Sequence, residues 1–569
     1  MTAAIISLAI AFSVVLGCEL VRKFSPKPVY PQPSFSQLSP QAETQFYFSQ
    51  SLQLMFDGKN KEAQELMKKA LALDPDSAYL HFKLAQIHAI SSDFDPALEQ
   101  ARLALNLSPD WKEPYFFLIE LYMTEKKPEL AEPIAEKLIE IAPEDPIAHR
   151  ELSRIYEVQG LSRSAVVVLK NYLDQYPDQI YLKKEYARLL IRIGRPEESE
   201  KAYQELLESA PGDAEAWAEY AGLEVSRPNF PEAIRAYQEE LNLEPANLQD
   251  RLELVKILLK QGQRQEADDQ LEMAKRTNPQ TPEPWLFSAY LHLQDKDLVK
   301  AREEYLQVLQ LDPKSEPAPY NLGLIEMDSK NWDEAEKWFS RIPADSNLYP
   351  DAQAQIIWLK YQQGKKEEAV SQAKDLTAKH PGKKTFWLIL IEIYQKEEQY
   401  QQAVQTLEEA LNHIPQDPDL FYSLAVVYSL QGDPEKALEF AQLALNKKPD
   451  DPALLNFIGY TWVDARINLD QAEAYLKKAL AKEPENGAII DSIGWLYFQK
   501  GQSREALKWI RRAEEKIPED PEILKHLGQI YLKLGDKKKA RESLEKALAH
   551  HPNSALKKQI ENLLDETKP

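Results

Sequence analysis

The chain has 569 residues, 43% of them hydrophobic, which is enough to bury a core and excludes a disordered protein. It carries 69 basic and 91 acidic residues, a net charge of −22, and a protein this acidic repels nucleic acid and anionic lipid. Its single cysteine excludes an internal disulfide and a cysteine-rich zinc site.

The N-terminus looks like a targeting segment. Residues 3–17 are almost wholly apolar, too short for a comfortable membrane span and of the length of a signal-peptide core. The tetrapeptide VLGC, which ends at Cys18, resembles a bacterial lipobox; the resemblance implies that Cys18 is lipidated, and Glu19 is compatible with sorting to the outer membrane. We expect residues 1–17 to be a signal peptide or anchor and the proline-rich residues 18–43 to be an extended tether.

The same segment fits a second interpretation. The first seven residues, MTAAIIS, carry no basic residue, and Leu16 is not the small residue usual at its lipobox position. Arg22, Lys23 and Lys27 follow the apolar run, where positive charge favours a cytoplasmic body. Two locations therefore stay open: an outer-membrane lipoprotein facing the periplasm, or a protein at the cytoplasmic face with an uncleaved N-terminal anchor.

Prolines punctuate the rest of the chain at a nearly constant interval. From Pro75 to Pro313 one recurs every 34 residues, and from Pro381 to Pro552 the same step holds apart from one step of 35. Only the repeat expected to end near Asn347 lacks its proline. Twelve residues before each repeat end stands a small residue, alanine in fourteen of fifteen repeats and Ser199 in the other, which indicates that two helices pass closely there.

Each repeat is predicted to be a helical hairpin. In residues 521–552, Leu524, Leu527, Gly528 and Tyr531 share one helix face, Gly535 suits the turn, and a second apolar helix follows. The spacing resembles the tetratricopeptide repeat. This resemblance implies an all-α, right-handed superhelical solenoid of about 15 helix-turn-helix units over residues 44–552, with residues 553–569 as a capping helix and tail. The missing proline near Asn347 and the insertion in WVDARINLDQ mark possible breaks in its regularity.

In tetratricopeptide folds, by resemblance, positions 2, 5, 9, 12 and 13 of each first helix line an inner groove that binds other proteins or extended peptides. Mapped onto this chain, the early repeats offer a basic strip that suits an acidic segment or a C-terminal carboxylate: Arg150, Arg154, Lys184, Arg188, Arg192 and Lys256. The middle repeats offer the aromatic residues Tyr290, Tyr320, Trp358 and Tyr361. The late repeats offer Tyr422, Asn456, Tyr460, Asp491, Trp495 and Phe498. Ordinary surface charge and packing between repeats are the alternative roles of these residues.

Residues 456–502, from NFIGYTWVDARINLDQ to DSIGWLYFQKGQ, form the most distinctive block. They resemble a block found in bacterial envelope tetratricopeptide lipoproteins, a group that includes an outer-membrane adaptor for a periplasmic carboxyl-terminal processing protease. The resemblance implies a scaffold that presents clients to a protease. Two other roles stay open: an assembly factor for a secretion, pilus or polysaccharide-export complex, and a regulatory subunit anchored at the cytoplasmic membrane.

The sequence shows no motif for catalysis, cofactor binding or metal binding. The chain lacks the common metalloprotease, hydrolase, P-loop and dinucleotide-binding motifs, and its nine histidines are scattered. The adjacent His550 and His551 diverge on a helix end rather than converging on a metal. We therefore expect a protein that is not an enzyme, with no cofactor and no nucleic acid partner; the sequence leaves its oligomeric state open.

Overall fold

A computed structural model describes residues 39–568. Within that range all regular structure is helical, in 31 helices. The predicted signal segment, Cys18 and most of the predicted tether lie outside the described residues. The chain divides into two compact parts, here called the N-terminal half, up to Asn278, and the C-terminal half, from Pro279.

In the N-terminal half, the described residues form seven consecutive hairpins, repeats 1 to 7. Their helices are α1 (Pro40–Phe56), α2 (Asn60–Leu73), α3 (Ala78–Ile90), α4 (Phe94–Leu107), α5 (Lys112–Thr124), α6 (Pro128–Ile141), α7 (Pro146–Val158), α8 (Ser162–Leu173), α9 (Ile180–Arg192), α10 (Pro196–Ser209), α11 (Ala214–Ser226), α12 (Phe230–Leu243), α13 (Leu248–Lys260) and α14 (Arg264–Thr277).

In the C-terminal half, the described residues form repeats 8 to 15 and one further helix. The helices are α15 (Glu283–Gln294), α16 (Leu298–Leu311), α17 (Pro317–Asp328), α18 (Trp332–Phe339), α19 (Tyr349–Gln362), α20 (Lys366–Lys379), α21 (Lys384–Lys396), α22 (Tyr400–His413), α23 (Pro418–Leu430), α24 (Pro434–Lys447), α25 (Pro452–Asp464), α26 (Leu469–Lys482), α27 (Gly487–Gln499), α28 (Ser503–Lys516), α29 (Pro521–Leu534), α30 (Lys537–Ala549) and α31 (Ser554–Glu566).

The predicted helical-hairpin fold is confirmed. Within each half, the two helices of a repeat pack on each other and on the next repeat along the chain. Several first helices begin with an Asp–Pro pair: in α23 the Asp417 carboxylate accepts hydrogen bonds from the backbone N–H groups of Asp419 and Leu420, and Pro418 occupies the first helical position, where its missing N–H costs nothing.

The small residue of each repeat lies where the two helices cross, as the sequence predicts. All fifteen side chains are completely buried: Ala63, Ala97, Ala131, Ala165, Ser199, Ala233, Ala267, Ala301, Ala335, Ala369, Ala403, Ala437, Ala472, Ala506 and Ala540. In four repeats a glycine on the first helix brings the crossing closer still. At Gly494, for example, a Cβ atom would lie 2.5 Å from Ile510, so only glycine fits there.

The two irregularities expected from the sequence are present. Helix α18, in the repeat that lacks its proline, has only 8 residues, and an irregular segment leads to α19. The turn between α25 and α26 contains the insertion, with Arg466 and Asn468 both at positive φ. Helix α31 packs on α29 and α30 and buries Ile560 against them. Among residues 39–568 no helix combines the length and apolar character needed to cross a bilayer.

Candidate functional site

The early repeats contain an open cleft between the first helices α5, α7 and α9. Its volume is about 500 Å³, and we call it the early cleft. Charged residues dominate its walls, with Tyr181, Ser153 and Leu189 between them; the charged residues are Arg150, Arg154, Arg188, Arg192, Glu120, Glu151, Glu157 and Glu185. The structure thus brings together four of the six residues of the predicted basic strip.

A buried carboxylate orients two of these arginines. Glu151 is 7% exposed, and its Oε1 accepts a hydrogen bond from Arg150 Nε at 3.2 Å while its Oε2 accepts one from Arg154 Nε at 2.8 Å. Both oxygens of Glu151 are therefore occupied, and the two guanidinium groups are held side by side at the cleft wall. Such charge-assisted bonds restrict where each guanidinium can point.

Other arginines of the early cleft pair with the neighbouring repeat. Arg154 Nη2 donates to Glu120 at 3.1 Å, and Arg192 Nη1 lies 2.8 Å from Glu157. Arg188 bonds in the same way to two carboxylates of α11, Glu215 and Glu219, at 2.8 and 2.7 Å. The four arginine side chains remain 36–57% exposed. Exposed ion pairs stabilise a fold by only about 0–1 kcal/mol, so a partner can displace the pair with Glu120 at little cost, whereas releasing both arginines from buried Glu151 would cost more.

The remaining carboxylate of the cleft, Glu185, interacts with an aromatic side chain. The Tyr181 hydroxyl donates a 2.7 Å hydrogen bond to it, and Arg150 lies over the Tyr181 ring at 6.0 Å. Burial raises the pKa of Glu185, although this hydrogen bond and the charge of Arg150 oppose the rise. The Tyr181 side chain is 55% exposed, so the cleft offers an aromatic face beside its charges.

The last two residues of the predicted basic strip lie outside the early cleft. Lys184 is 9% exposed and its ammonium lies 2.8 Å from both Asp213 and Glu215, which makes it a link between repeats 5 and 6. Lys256, on α13, pairs with Glu253 one turn away at 2.6 Å.

The four aromatic residues predicted in the middle repeats are distributed rather than clustered. Tyr290 is 49% exposed, and Tyr320 packs edge-on against Phe339. Trp358 stacks on Tyr361 with ring centroids 5.2 Å apart. The Tyr361 hydroxyl donates to Glu397 at 2.6 Å, and burial together with this carboxylate raises the pKa of Tyr361 to about 12.

The late repeats contain a polar network of hydrogen bonds and ring contacts that links three first helices, α25, α27 and α29. Its centre is His526, which is completely buried and whose Nδ1 lies 2.9 Å from Asp491 Oδ1. The His526 ring stacks on Trp495 at 4.1 Å, and the Trp495 indole N–H donates to Asp464. We call this set, together with Tyr460 and Glu522, the late network.

Tyr460 ties the late network across two repeats. Its hydroxyl donates a 2.9 Å hydrogen bond to Glu522, 62 residues further on, which also accepts a hydrogen bond from Lys525. Burial and the charge of Glu522 raise the pKa of Tyr460 well above its usual value. Burial acts to raise the pKa of Glu522 as well, but the positive charges of His526 and Lys525 outweigh it and lower the pKa.

The other predicted late residues surround this network. Phe498 stacks on Trp495 at 4.9 Å, and Tyr422 packs edge-on against Phe457. Asn456 lies beside Tyr460 in the wall of a chamber of about 390 Å³, and its buried Oδ1 has no hydrogen-bond partner among the described residues. Asp491 and Trp495, only 5% and 4% exposed, lie beneath this surface and position the residues above them. Partner contact by the predicted residues stays a prediction.

Repeats 1 to 3 carry an aromatic row that is not among the predicted groove residues. Tyr79, 48% exposed, stacks on Trp111 with centroids 6.1 Å apart and contacts the edge of Phe48. Phe82 meets the other side of Trp111 at 4.9 Å. Tyr79 and Phe82 occupy positions 2 and 5 of α3, so applying the groove positions to these repeats would have found them. Across residues 39–568, no group of His, Cys, Asp or Glu side chains could hold a metal ion.

Consecutive helical hairpins whose first helices carry the candidate binding residues define a helical-repeat scaffold. Comparison with known proteins identifies the family of these repeats. Models of the tetratricopeptide repeat match residues 50–111, 159–221, 252–316, 292–356, 355–411, 394–458, 468–525 and 521–554. These segments together cover well over half of the chain. The protein belongs to the tetratricopeptide repeat family, whose members are generally non-catalytic scaffolds for protein–protein interaction.

Individual relatives are distant. The TPR repeat-containing protein PA4667 of Pseudomonas aeruginosa is 23% identical over 194 residues, which are 34% of this chain and 33% of that protein. The match therefore spans about a third of that relative's length. A tetratricopeptide repeat protein from Parabacteroides merdae is 16% identical, with a TM-score of 0.33, and covers 50% of this chain and 98% of its own. PilW, a type IV pilus biogenesis factor, is 19% identical, with a TM-score of 0.32, over 38% of this chain and 100% of its own.

Proposed function

We propose that this protein is a non-enzymatic adaptor of the bacterial envelope, tethered through Cys18 and facing the periplasm, which holds partner proteins along its first helices and delivers clients to a periplasmic carboxyl-terminal processing protease. The observation that carries the proposal is the series of hairpins in each half, from Pro40 to Thr277 and from Glu283 to Ala549. Each repeat adds one first helix that can contact a partner. The fifteen repeats and α31 account for all the regular structure of residues 39–568.

The envelope location and the protease are supported by the lipobox at Cys18 and by the late block of residues 456–502, both through resemblance. The proposed mechanism is effective concentration. A scaffold that binds a client and a protease at once makes their encounter nearly intramolecular, and this raises the local concentration without any catalytic residue of its own.

The early cleft supplies the contact chemistry that we propose for a partner. Its arginines are exposed, oriented by buried Glu151 and joined to neighbouring carboxylates by weak pairs, and Tyr181 offers a large aromatic face. Charged groups of this kind speed up and orient association, and an exposed aromatic side chain contributes contact area with few rotors to freeze. An extended segment with acidic residues beside apolar ones fits this chemistry.

Affinity capture from detergent-solubilised envelopes, followed by mass spectrometry, tests the proposal. We expect a carboxyl-terminal processing protease among the captured proteins, and slower turnover of co-captured clients in cells that lack this chain. Recovery of secretin, pilus or export subunits without a protease would instead indicate an assembly factor.

The envelope tether needs its own test. We expect radiolabelled palmitate to enter the wild-type chain and not the Cys18→Ser variant, and the variant to leave the membrane fraction. If Cys18→Ser keeps both its membrane association and its captured partners, the lipoprotein part of the proposal is wrong and an uncleaved anchor is favoured.

A further inference from the structure

One contact in the C-terminal half joins parts of the chain that a series of hairpins does not normally bring together. The carboxylate of Glu398, in the turn between α21 and α22, accepts hydrogen bonds from both the backbone N–H and the hydroxyl of Ser554, at 2.9 and 2.8 Å. These residues are 156 positions apart, and repeats 12 to 15 lie between them. In repeat arrays each unit usually contacts only its neighbours.

The chemistry of this contact is specific. Ser554 is the first residue of α31, where backbone N–H groups are free and the helix dipole is positive, so a carboxylate binds favourably there. The two hydrogen bonds from Ser554, first from its hydroxyl and then from its backbone, lower the pKa of Glu398. The carboxylate therefore remains ionised at neutral pH and keeps both bonds.

The backbone of Glu398 lies in the left-handed region, as it does at this turn position in the other repeats. Its φ is 53°, and the same turn position in the two flanking repeats is filled by Gly364 and Gly432, both with φ of 78°. Side chains rarely adopt this conformation because the Cβ atom crowds the backbone. Other repeats also carry a side chain here, for example Lys330, so the conformation is common to the repeat; what distinguishes Glu398 is that its side chain reaches Ser554.

The segment held by Glu398 forms a wall of the late chamber, the 390 Å³ space above the late network. Asn553, Ala555 and Gln559 contribute that wall from the start of α31. The other walls come from Ser429 and Leu430 at the end of α23, and from the first helices α25, α27 and α29. The start of α31 thus covers the part of the groove that holds Asn456 and Tyr460.

Helix α31 is anchored at its centre and less firmly held at its start. Ile560 at its centre is completely buried, whereas Ser554 and Ala555 in its first turn are exposed. An irregular link, residues 550–553, precedes the helix and contains His551 at a φ of 53°. In the first turn Leu556 packs against the core of the last repeats, so opening means that this turn unwinds and Leu556 moves, while Ile560 stays buried.

We propose that the Glu398–Ser554 contact is a clasp that controls access to the late chamber: with the clasp closed, the start of α31 covers the chamber, and with it open, an extended polypeptide segment can enter. The inference rests on the proposed scaffold function, because it assigns regulation to the groove of the late repeats. The clasp is reversible, since it consists of two solvent-exposed hydrogen bonds.

Thiol accessibility tests the clasp in the full-length chain. Cys18→Ser removes the only native thiol, and Asn456→Cys places a reporter in the chamber wall. In this background, Glu398→Ala is expected to raise the rate of maleimide modification at position 456 about tenfold, and Ser554→Ala, which keeps the backbone donor, by a smaller factor. Glu392→Ala, an exposed glutamate on α21 away from the clasp, is the matched control and leaves the rate unchanged.

Two further measurements separate opening of the clasp from unfolding and test the role of the acceptor oxygen of residue 398. Unchanged circular dichroism and thermal transitions in Glu398→Ala show that faster modification comes from opening rather than unfolding. Glu398→Gln, which retains an acceptor oxygen, is expected to restore part of the protection. Equal modification rates in Glu398→Ala and Glu392→Ala would overturn the clasp. The modification assay needs no partner. A failed capture experiment would therefore contradict the scaffold function without changing the result for the clasp.

Discussion

The early cleft and the late network use the same positions of the repeat in opposite ways. In the early cleft, arginines pair with carboxylates of adjacent repeats yet remain 36–57% exposed around an open space. In the late network, His526 is completely buried, Trp495 is 4% exposed, and Asp491 bonds within the protein. One region keeps its charges where a partner can reach them, and the other uses its polar groups to join three repeats.

The difference shows that a groove position in the repeat does not by itself expose a side chain to a binding partner. Long arginine side chains extend past the helix surface and keep their charged heads in water. A short aspartate cannot, so Asp491 bonds to His526, whose ring stacks on Trp495. The late residues therefore stabilise the surface above them, whereas the early arginines form a surface themselves.

The largest expected effect comes from the tight packing of the late repeats. In Gly494→Val the added side chain meets Ile510 at 2.5 Å, and we expect the C-terminal repeats to lose about 3 kcal/mol of unfolding free energy in urea denaturation. Gly222→Val is the matched control in the N-terminal half, since nothing lies within 4 Å of its added atom. If both variants unfold alike, the late repeats are not packed as described.

Removing the partner of the buried histidine should cost slightly less. Asp491→Ala leaves His526 Nδ1 buried without an acceptor, and we expect a loss of about 2 kcal/mol of unfolding free energy. Glu120→Ala, which removes an exposed partner of Arg154 in the early cleft, should cost less than about 1 kcal/mol. A double variant, Asp491→Ala with His526→Leu, should lose less than the two single variants added together. Additive losses would argue against direct coupling.

Buried Glu240 and partly buried Glu522 should respond to pH with opposite signs. Burial raises the pKa of Glu240 to about 7, so this carboxyl weakens the fold as pH rises from about 4.5 through 7. Glu240→Gln should therefore be more stable than wild type at pH 8 and equal to it at pH 4. The pKa of Glu522 is lowered, so Glu522→Gln should be less stable at pH 7, with a difference that shrinks as pH falls below about 4. Parallel stability curves for these variants and wild type would contradict the assigned environments.

The smallest effect is expected in the early cleft. Arg154→Gln breaks the exposed pair with Glu120 and one of the bonds to buried Glu151, which keeps Arg150 as a partner; we expect the unfolding free energy to fall by only about 1 kcal/mol while partner capture weakens. Lys256→Gln makes the same charge change outside the cleft and should affect neither. Severe unfolding of Arg154→Gln would show that the early arginines serve the fold.

Much of this architecture could be predicted from the period alone. The alanine positions and the proline interval predicted the hairpins and their close crossings, and the missing proline near Asn347 indicated a break in regularity, which the structure shows as the shortened helix α18. The pairing of Arg154 with Glu120 also follows from the period, because the two residues stand one repeat, 34 positions, apart on neighbouring first helices. The repeat therefore fixes contacts between neighbours.

Contacts over several repeats could not be predicted in this way. Tyr460 meets Glu522 across 62 residues, and Glu398 meets Ser554 across 156. Their distance depends on small rotations between successive repeats, which accumulate and leave no separate mark in the sequence. The burial of Trp495 could not be predicted for a related reason. The sequence places a tryptophan at groove position 9, but it does not show whether the next repeat covers that side chain.

Site-specific photo-crosslinking in living cells tests the central claim most directly. A photoreactive residue at Arg192, on a first helix beside the early cleft, is compared with one at Val167, on the second helix α8; the two side chains are 57% and 54% exposed. We predict adducts with other envelope proteins from position 192 and few or none from position 167. Adducts from position 167 alone, or equal adducts from both, would contradict a scaffold that binds its partners along the first helices.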